Sequence, residues 1–348
     1  MAAVTEPSRG TMAAYRIVRW GSPPELTEAP VPDPGPGEVL VEVAGNGLCH
    51  SDLAMADMPA EVGEAIGWRV PFTLGHEIGG RIAALGPGVT GFAPGDAVAL
   101  VSPASCGECP LCRRGQDSAC PHGGAGRGYG RDGGLARYVV APAPRALVPL
   151  GRLDPVTAGP LTDAGATSYH AVARVQSRLD DGMTAVVLGA GGLGAFAVQF
   201  LRALTHARVV AVDTNPARLD VARDLGAHDV ADDVRSVGPV DVVLDFVGVD
   251  DTIAAGLAAV RPYGAFGLVG AAGGRFRGSW FGGLPRDAEV FTFQGSSLAD
   301  VHAVVALAES GRIRNEVELF PLSRVADAYA ALEAGELRGR AVVTPDDD

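Results

Sequence analysis

The chain has 348 residues, 47% of them hydrophobic, and a formal net charge of −13. That length is enough for two domains, each with its own core. The acidic balance argues against nucleic acid and anionic membrane as partners, which need basic surfaces, and no apolar run approaches the ~20 residues of a membrane span.

Residues 1–11 read as an extension without structure. The opening "MAAVTEPSRGTMAAYRIVRW" lacks the apolar core of a signal peptide, so a cytoplasmic location is expected. From about Ile17 to Val148 the apolar runs are short and separated by Gly and Pro, as in "EVLVEVAG", "IGGRIAALGPGV", "DAVALVS" and "ARYVVAPA". This pattern predicts an all-β barrel. A helix is expected to begin within "PLTDAGATSYHAV". From Thr184 the pattern changes: "TAVVLGAGGLGAFAVQFLRAL" reads as strand, glycine turn and helix, followed by strand "ARVVAVD" and helix "PARLDVARDLGA". "VDVVLDFVG" and "YGAFGLVG" are further buried strands, with the helix "TIAAGLAAV" between them. Alternating strands and helices predict a parallel, doubly wound sheet. After about Asp300, "VHAVVALAES", "EVELFPLSRVADAYAALEAG" and "GRAVVTP" form a tail expected to return to the first domain.

Two local patterns carry chemistry. Gly189, Gly191 and Gly194 form G-x-G-x-x-G between a strand and a helix, with Gly192 and Leu193 inside the turn. Such a turn admits a dinucleotide pyrophosphate to the free N–H groups of the helix start. Asp213 ends the next strand, where a carboxylate can hold both ribose hydroxyls of an adenosine and repel a 2′-phosphate. NAD is therefore expected over NADP, although Arg218 stands nearby to cover the adenine or meet a phosphate.

The second pattern is Cys106, Cys109, Cys112 and Cys120, spaced C-x2-C-x2-C-x7-C, which takes four of the five cysteines. A reducing compartment disfavours a disulfide knot, and four close thiolates suit tetrahedral zinc. A four-cysteine site leaves no open position, so this zinc is expected to be structural. An iron–sulfur cluster is the alternative, but nothing else in the chain points to electron transfer. Three further residues stand apart: Cys49 in "GNGLCHSD", His76 in "TLGHEIGG" and Asp163 in "PLTDAGAT". Each alone has an ordinary explanation, as core packing or a satisfied polar residue. Together they offer S, N and O donors, a set that leaves zinc a fourth position open. No lysine occurs anywhere, which excludes Schiff-base chemistry and a lysine general base.

In "GLCHSD", "LGHE", the four-cysteine loop, "LTDAG", "GAGGLG" and the closing "GRAVV", the chain resembles the zinc-dependent medium-chain alcohol dehydrogenases, nearest to bacterial secondary alcohol dehydrogenases of broad range. The resemblance runs from Met12 to the C-terminus. It implies an N-terminal GroES-like catalytic domain at 12–163 and 307–348, and a Rossmann NAD-binding domain at 164–306. It places the catalytic zinc on Cys49, His76 and Asp163, with Glu77 able to approach the metal and Asp52 orienting the His76 ring. Ser51 would relay the alcohol proton, and His50 would lie at the relay's exit or near the cofactor phosphates. Thr167, Val247, Val269 and Arg340 would contact the cofactor, Arg340 at the pyrophosphate. The implied reaction is hydride exchange between a secondary alcohol or ketone and NAD, in a homodimer or homotetramer holding two zinc ions per chain. A polyol, amino-alcohol or natural-product intermediate dehydrogenase is the alternative. A zinc-free quinone or enone reductase and a non-enzymatic binding protein fit less well, since ligands and turn glycines are intact. Ala54 and Gln294 stand where close kin carry bulky aromatics, while Trp68 and Tyr129 remain as pocket walls. A roomier, more polar substrate pocket is expected.

Overall fold

The computed structural model describes residues 10–346 except Pro103. The chain divides into two compact units. The first takes the chain up to Asp163, Ser296–Glu309 and the segment from Asn315 onward; the second takes Ala164–Gly295 and Ser310–Arg314. The second crossing differs from the sequence-based boundary at 306/307. Residues 296–306 belong with the first unit, because the helix Leu298–Glu309 buries Val301, Val304 and Val305 there. The expected unstructured start also changes. Residues 1–9 lie outside the described part, but a strand already begins at Thr11, and Gly10 accepts a hydrogen bond from Val31 N–H.

The first unit is built on a seven-stranded sheet. Its central strand, Glu38–Gly47, pairs antiparallel with Glu77–Leu85, Tyr138–Pro142 and the C-terminal Arg340–Thr344. Period-two alternation puts Val39, Val41 and Val43 on one face. They pack with Ile78, Ile82, Val98, Leu100 and Val139 in a core from which water is excluded. Burying each such side chain stabilises the fold by about 1.5–3 kcal/mol. A second core joins Ile17, Leu48, Phe72 and Leu74 to Val325, Ala328 and Tyr329 of the helix Val325–Ala334. The C-terminal segment is thus part of the interior of this unit.

The second unit carries a six-stranded, fully parallel sheet. Taken in chain order from Thr184–Leu188, its strands lie 3-2-1-4-5-6, the doubly wound dinucleotide-binding order. The edge strand Glu289–Thr292 is one that sequence reading passed over. Its inner neighbours are continuous apolar runs, as expected for strands covered on both faces. Among the described residues, no helix is long and apolar enough to cross a membrane.

Candidate active site and metal centres

Cys49 caps the helix His50–Ala56 in an extended conformation, and its N–H donates to Asp52 Oδ2 at 3.1 Å. This reciprocal arrangement at the helix start fixes both residues. The other oxygen of Asp52 lies 3.2 Å from His76 Nδ1, with both side chains fully shielded from solvent. A carboxylate on Nδ1 selects the tautomer that leaves Nε2 as a lone-pair donor. His76 follows Gly75, whose φ of +92° and close approach to the Asn46 side chain no other residue could match.

Asp163 Oδ2 stands 3.5 Å from His76 Nε2. The ligand atoms of Cys49, His76, Glu77 and Asp163 all lie within 4.8 Å of one another. Residues separated by more than a hundred positions are therefore brought together by the central sheet and the turn at Thr162. Burial disfavours a charged His76, but Tyr129, Asp52 and Asp163 outweigh it and raise its pKa well above the ordinary value. Burial would raise Asp163, but the hydrogen bond and charge of His76 win and lower it. A buried S, N, O donor set of this size fits zinc. Glu77 Oε2, buried without a hydrogen-bond partner, is a further acceptor available to a cation. Room for that carboxylate exists because residue 47 is glycine: a Cβ there would fall 2.0 Å from Glu77 Oε2.

The other oxygen of Glu77 pairs with Arg340 Nη2, which also donates to Leu48 C=O at 2.7 Å. Arg340 was expected at the cofactor pyrophosphate. Within this unit its guanidinium neutralises a buried carboxylate and satisfies a strand-end carbonyl. Ser51 Oγ lies 3.5 Å from His76 Nε2 and 3.0 Å from the Tyr129 hydroxyl, which is itself 3.1 Å from Nε2. Sequence reading assigned Tyr129 only as a wall and missed its hydroxyl. Trp68 packs against it with ring centroids 6.1 Å apart and donates Nε1–H to Gly124 C=O at 2.6 Å. His50 and Ala54 are exposed on the first unit, and Gln294 is exposed on the second.

The four-cysteine loop is a separate centre. Sulfur–sulfur distances of 3.9 Å (Cys106–Cys112), 4.0 Å (Cys109–Cys120) and 3.7 Å (Cys106–Cys120) are far beyond a disulfide bond. They match the roughly 3.8 Å edge of a tetrahedron with ~2.3 Å zinc–sulfur bonds. Backbone N–H groups of Cys106, Cys109 and Cys112 point at neighbouring sulfurs. Backbone N–H groups of Glu108 and Cys109 bring the Cys106 thiol down to about 6, whereas burial pushes Cys112 up to about 11.

In the second unit Gly189 has φ +89°, and Gly191 caps the helix Gly192–Leu204. Ser168, which sequence reading passed over, donates to Leu193 C=O at 2.8 Å and ties the preceding helix to the turn. Asp213 accepts Ala190 N–H at 2.9 Å and Asn215 N–H at 2.8 Å, one on each oxygen, with Arg218 3.8 Å away. Each oxygen retains a second lone pair. Thr167 is buried in the helix Ala164–Val175, while Val247 and Val269 are half-buried at strand ends held by Asp245.

Residues 35–152 match the family described as alcohol dehydrogenase GroES-like domain, and residues 192–310 that described as zinc-binding dehydrogenase. An NAD-dependent alcohol dehydrogenase of Sulfurisphaera tokodaii is 33% identical, over 96% of this chain and 100% of the relative. Among solved structures, an alcohol dehydrogenase of the hyperthermophilic archaeon Aeropyrum pernix matches with a TM-score of 0.89 at 32% identity, over 96% of this chain and 100% of that one. Acetophenone reductase from Geotrichum candidum, solved in complex with NAD, matches at 0.87 with 28% identity, over 97% and 98% of the two chains. The chain belongs to the zinc-dependent medium-chain alcohol dehydrogenase family, the one its cysteine loop, donor set and glycine turn resemble.

Proposed function

We propose that Cys49, His76 and Asp163 form the catalytic metal centre at which this NAD-dependent dehydrogenase interconverts an alcohol and its carbonyl compound. The observation that carries the assignment is the convergence on His76 Nε2. Its ring is locked from behind by Asp52, and thiol and carboxylate donors lie within 4.8 Å. Zinc bound there supplies a Lewis acid that makes a substrate hydroxyl acidic near neutral pH. The chain's own residues do the rest. Asp52 keeps Nδ1 protonated and Nε2 free. Ser51 relays the alcohol proton, accepting it at Oγ while releasing its own toward His50, which is exposed one residue earlier and passes a proton to solvent. Arg340 balances the charge of Glu77 so that a second buried carboxylate can stand beside the donors. Gly189, Gly191 and Gly194 hold the NAD pyrophosphate, and Asp213 the adenosine ribose.

For the substrate we infer a secondary alcohol or ketone with bulk or a polar group, because Ala54 leaves the exposed face of its helix open beyond Ser51. We place the protein in the cytoplasm, where the free thiols of the four-cysteine loop stay reduced, and infer a homodimer or homotetramer from the family resemblance. Metal analysis should find two zinc ions per chain. Cys49→Ala should leave one and abolish turnover at unchanged Tm, whereas Cys109→Ser should lower stability and yield first. Full activity in Cys49→Ala would overturn the assignment.

A further inference from the structure

The segment "GRGYGRDGG" places one phenol against the ring of His76. Gly128 (φ +72°) and Gly130 (φ +75°) flank Tyr129 in left-handed conformations. Gly126 and Tyr129 exchange both backbone hydrogen bonds, at 2.8 and 3.0 Å, and Gly128 N–H donates to Arg131 C=O at 2.9 Å. A Cβ on Gly128 would fall 2.6 Å from the Gly75 backbone, and one on Gly130 would fall 2.4 Å from the Trp68 ring. The turn is thus wedged between the loop that carries His76 and an indole, and neither flanking residue can move outward. The Tyr129 ring lies 4.4 Å from the His76 ring, centroid to centroid.

Two hydroxyls therefore face His76 Nε2, Tyr129 at 3.1 Å and Ser51 at 3.5 Å, and they lie 3.0 Å from each other. Both hydroxyls thus stand beside the nitrogen that would hold the metal, within reach of an oxygen bound next to it. We propose that Tyr129 is a catalytic residue: its O–H donates a hydrogen bond to the substrate oxygen, beside Ser51, as negative charge develops there. This rests on the assignment of Cys49, His76 and Asp163 to the catalytic zinc. No proton leaves the phenol; Ser51 alone relays the alcohol proton, releasing its own toward His50 as it accepts it, and Tyr129 stays a donor throughout. A fixed donor aimed at developing charge in a water-poor site needs no reorganisation during the reaction. Polarisation through the Tyr129–Ser51 contact strengthens both bonds to the same oxygen.

The test is Tyr129→Phe, which removes one oxygen and keeps the ring against Trp68; Tyr129→Met serves as a second hydroxyl-free variant should the first fold poorly. We expect kcat/KM to fall about 10- to 100-fold, with zinc content, Tm and KM for NAD unchanged. A readout independent of turnover is the affinity of trifluoroethanol, an acidic alcohol, for the enzyme–NAD complex. Removing a hydrogen bond to a charged oxygen should weaken it about 10- to 100-fold. In a Ser51→Ala background the Tyr129→Phe loss should shrink, because the two hydroxyls act on one atom. Both quantities within twofold of the parent would overturn the proposal. So would loss of zinc from Tyr129→Phe, which would make the phenol a support of the metal and not a partner of the substrate. If Cys49→Ala keeps two zinc ions and full activity, the failure lies in the site assignment and not in Tyr129.

Discussion

Two of the three glycines in the nucleotide turn should fail in opposite ways when given a methyl group. A Cβ on Gly194 would lie 1.9 Å from Gly189 O, 2.9 Å from its carbonyl carbon and 3.1 Å from Val187 Cγ1. Relief needs a retreat of roughly 1.5 Å by the helix Gly192–Leu204 from a strand end that cannot yield. Overpacking of this kind costs about 1–3 kcal/mol. Alanine's better helix propensity returns about 1 kcal/mol at most, and less in a first turn. A net loss of about 2 kcal/mol lowers Tm by about 4–8 °C. At Gly191 the space is open: a Cβ meets nothing closer than the Arg218 guanidinium at 4.0 Å. Gly191→Ala should keep Tm within ~2 °C, the small loss of a glycine cap. Its methyl would instead occupy the place where pyrophosphate nears the backbone, raising KM for NAD about tenfold or more, equivalent to about 1.4 kcal/mol. Thermal unfolding and NAD titration of both variants decide the matter. A parent-like Tm for Gly194→Ala, or an unfolded Gly191→Ala, would refute the reasoning.

Asp213→Ala removes the acceptor for two backbone N–H groups as well as the proposed ribose ligand; we expect a higher KM for NAD, a narrowed preference over NADP and a small fall in Tm, measured by steady-state kinetics with both cofactors and thermal unfolding. Ala54→Phe lies one helical turn beyond Ser51 and on an exposed face, so it should shift kcat/KM toward a small aliphatic ketone against a large hydroxylated one. Gln294→Trp should act in the same direction. Both ratios unchanged would show that these side chains do not meet the substrate.

The parts legible in the sequence are those set by local spacing. The four cysteines fall within fifteen positions, so their convergence needs only a loop. The glycine turn is announced by the strand before it and the helix after it, and apolar runs give the parallel strands. What the sequence hid depends on contacts between distant segments. The partner of Glu77 is Arg340, and no periodicity links positions 77 and 340. The hydroxyl of Tyr129 gains its meaning from Ser51 and His76, each on a different element. Gly47 looks like a strand residue until the Glu77 carboxylate is found in the space its side chain would fill. The boundary implied at 306/307 cuts through the helix Leu298–Glu309, all of which belongs with the first unit.

The buried pair of Glu77 and Arg340 explains why the first unit needs the end of the chain. Glu77 is fully buried, and burial raises its pKa despite the guanidinium. Removing either partner of such a pair leaves an uncompensated charge, at a cost of about 3–5 kcal/mol. The strand Arg340–Thr344 therefore does more than extend the sheet. Its Val342 and Val343 pair with Gly47 and Asn46, immediately before Cys49, and Ala341 C=O accepts the N–H of Leu48. These contacts set the backbone from which Cys49 projects. The same strand brings the guanidinium that pairs with Glu77. A chain ending before this strand would leave the Glu77 carboxylate without its guanidinium partner and would lose the edge that holds Leu48 in place. The donor cluster thus depends on the C-terminal strand, although all its expected ligands come from the first half of the sequence.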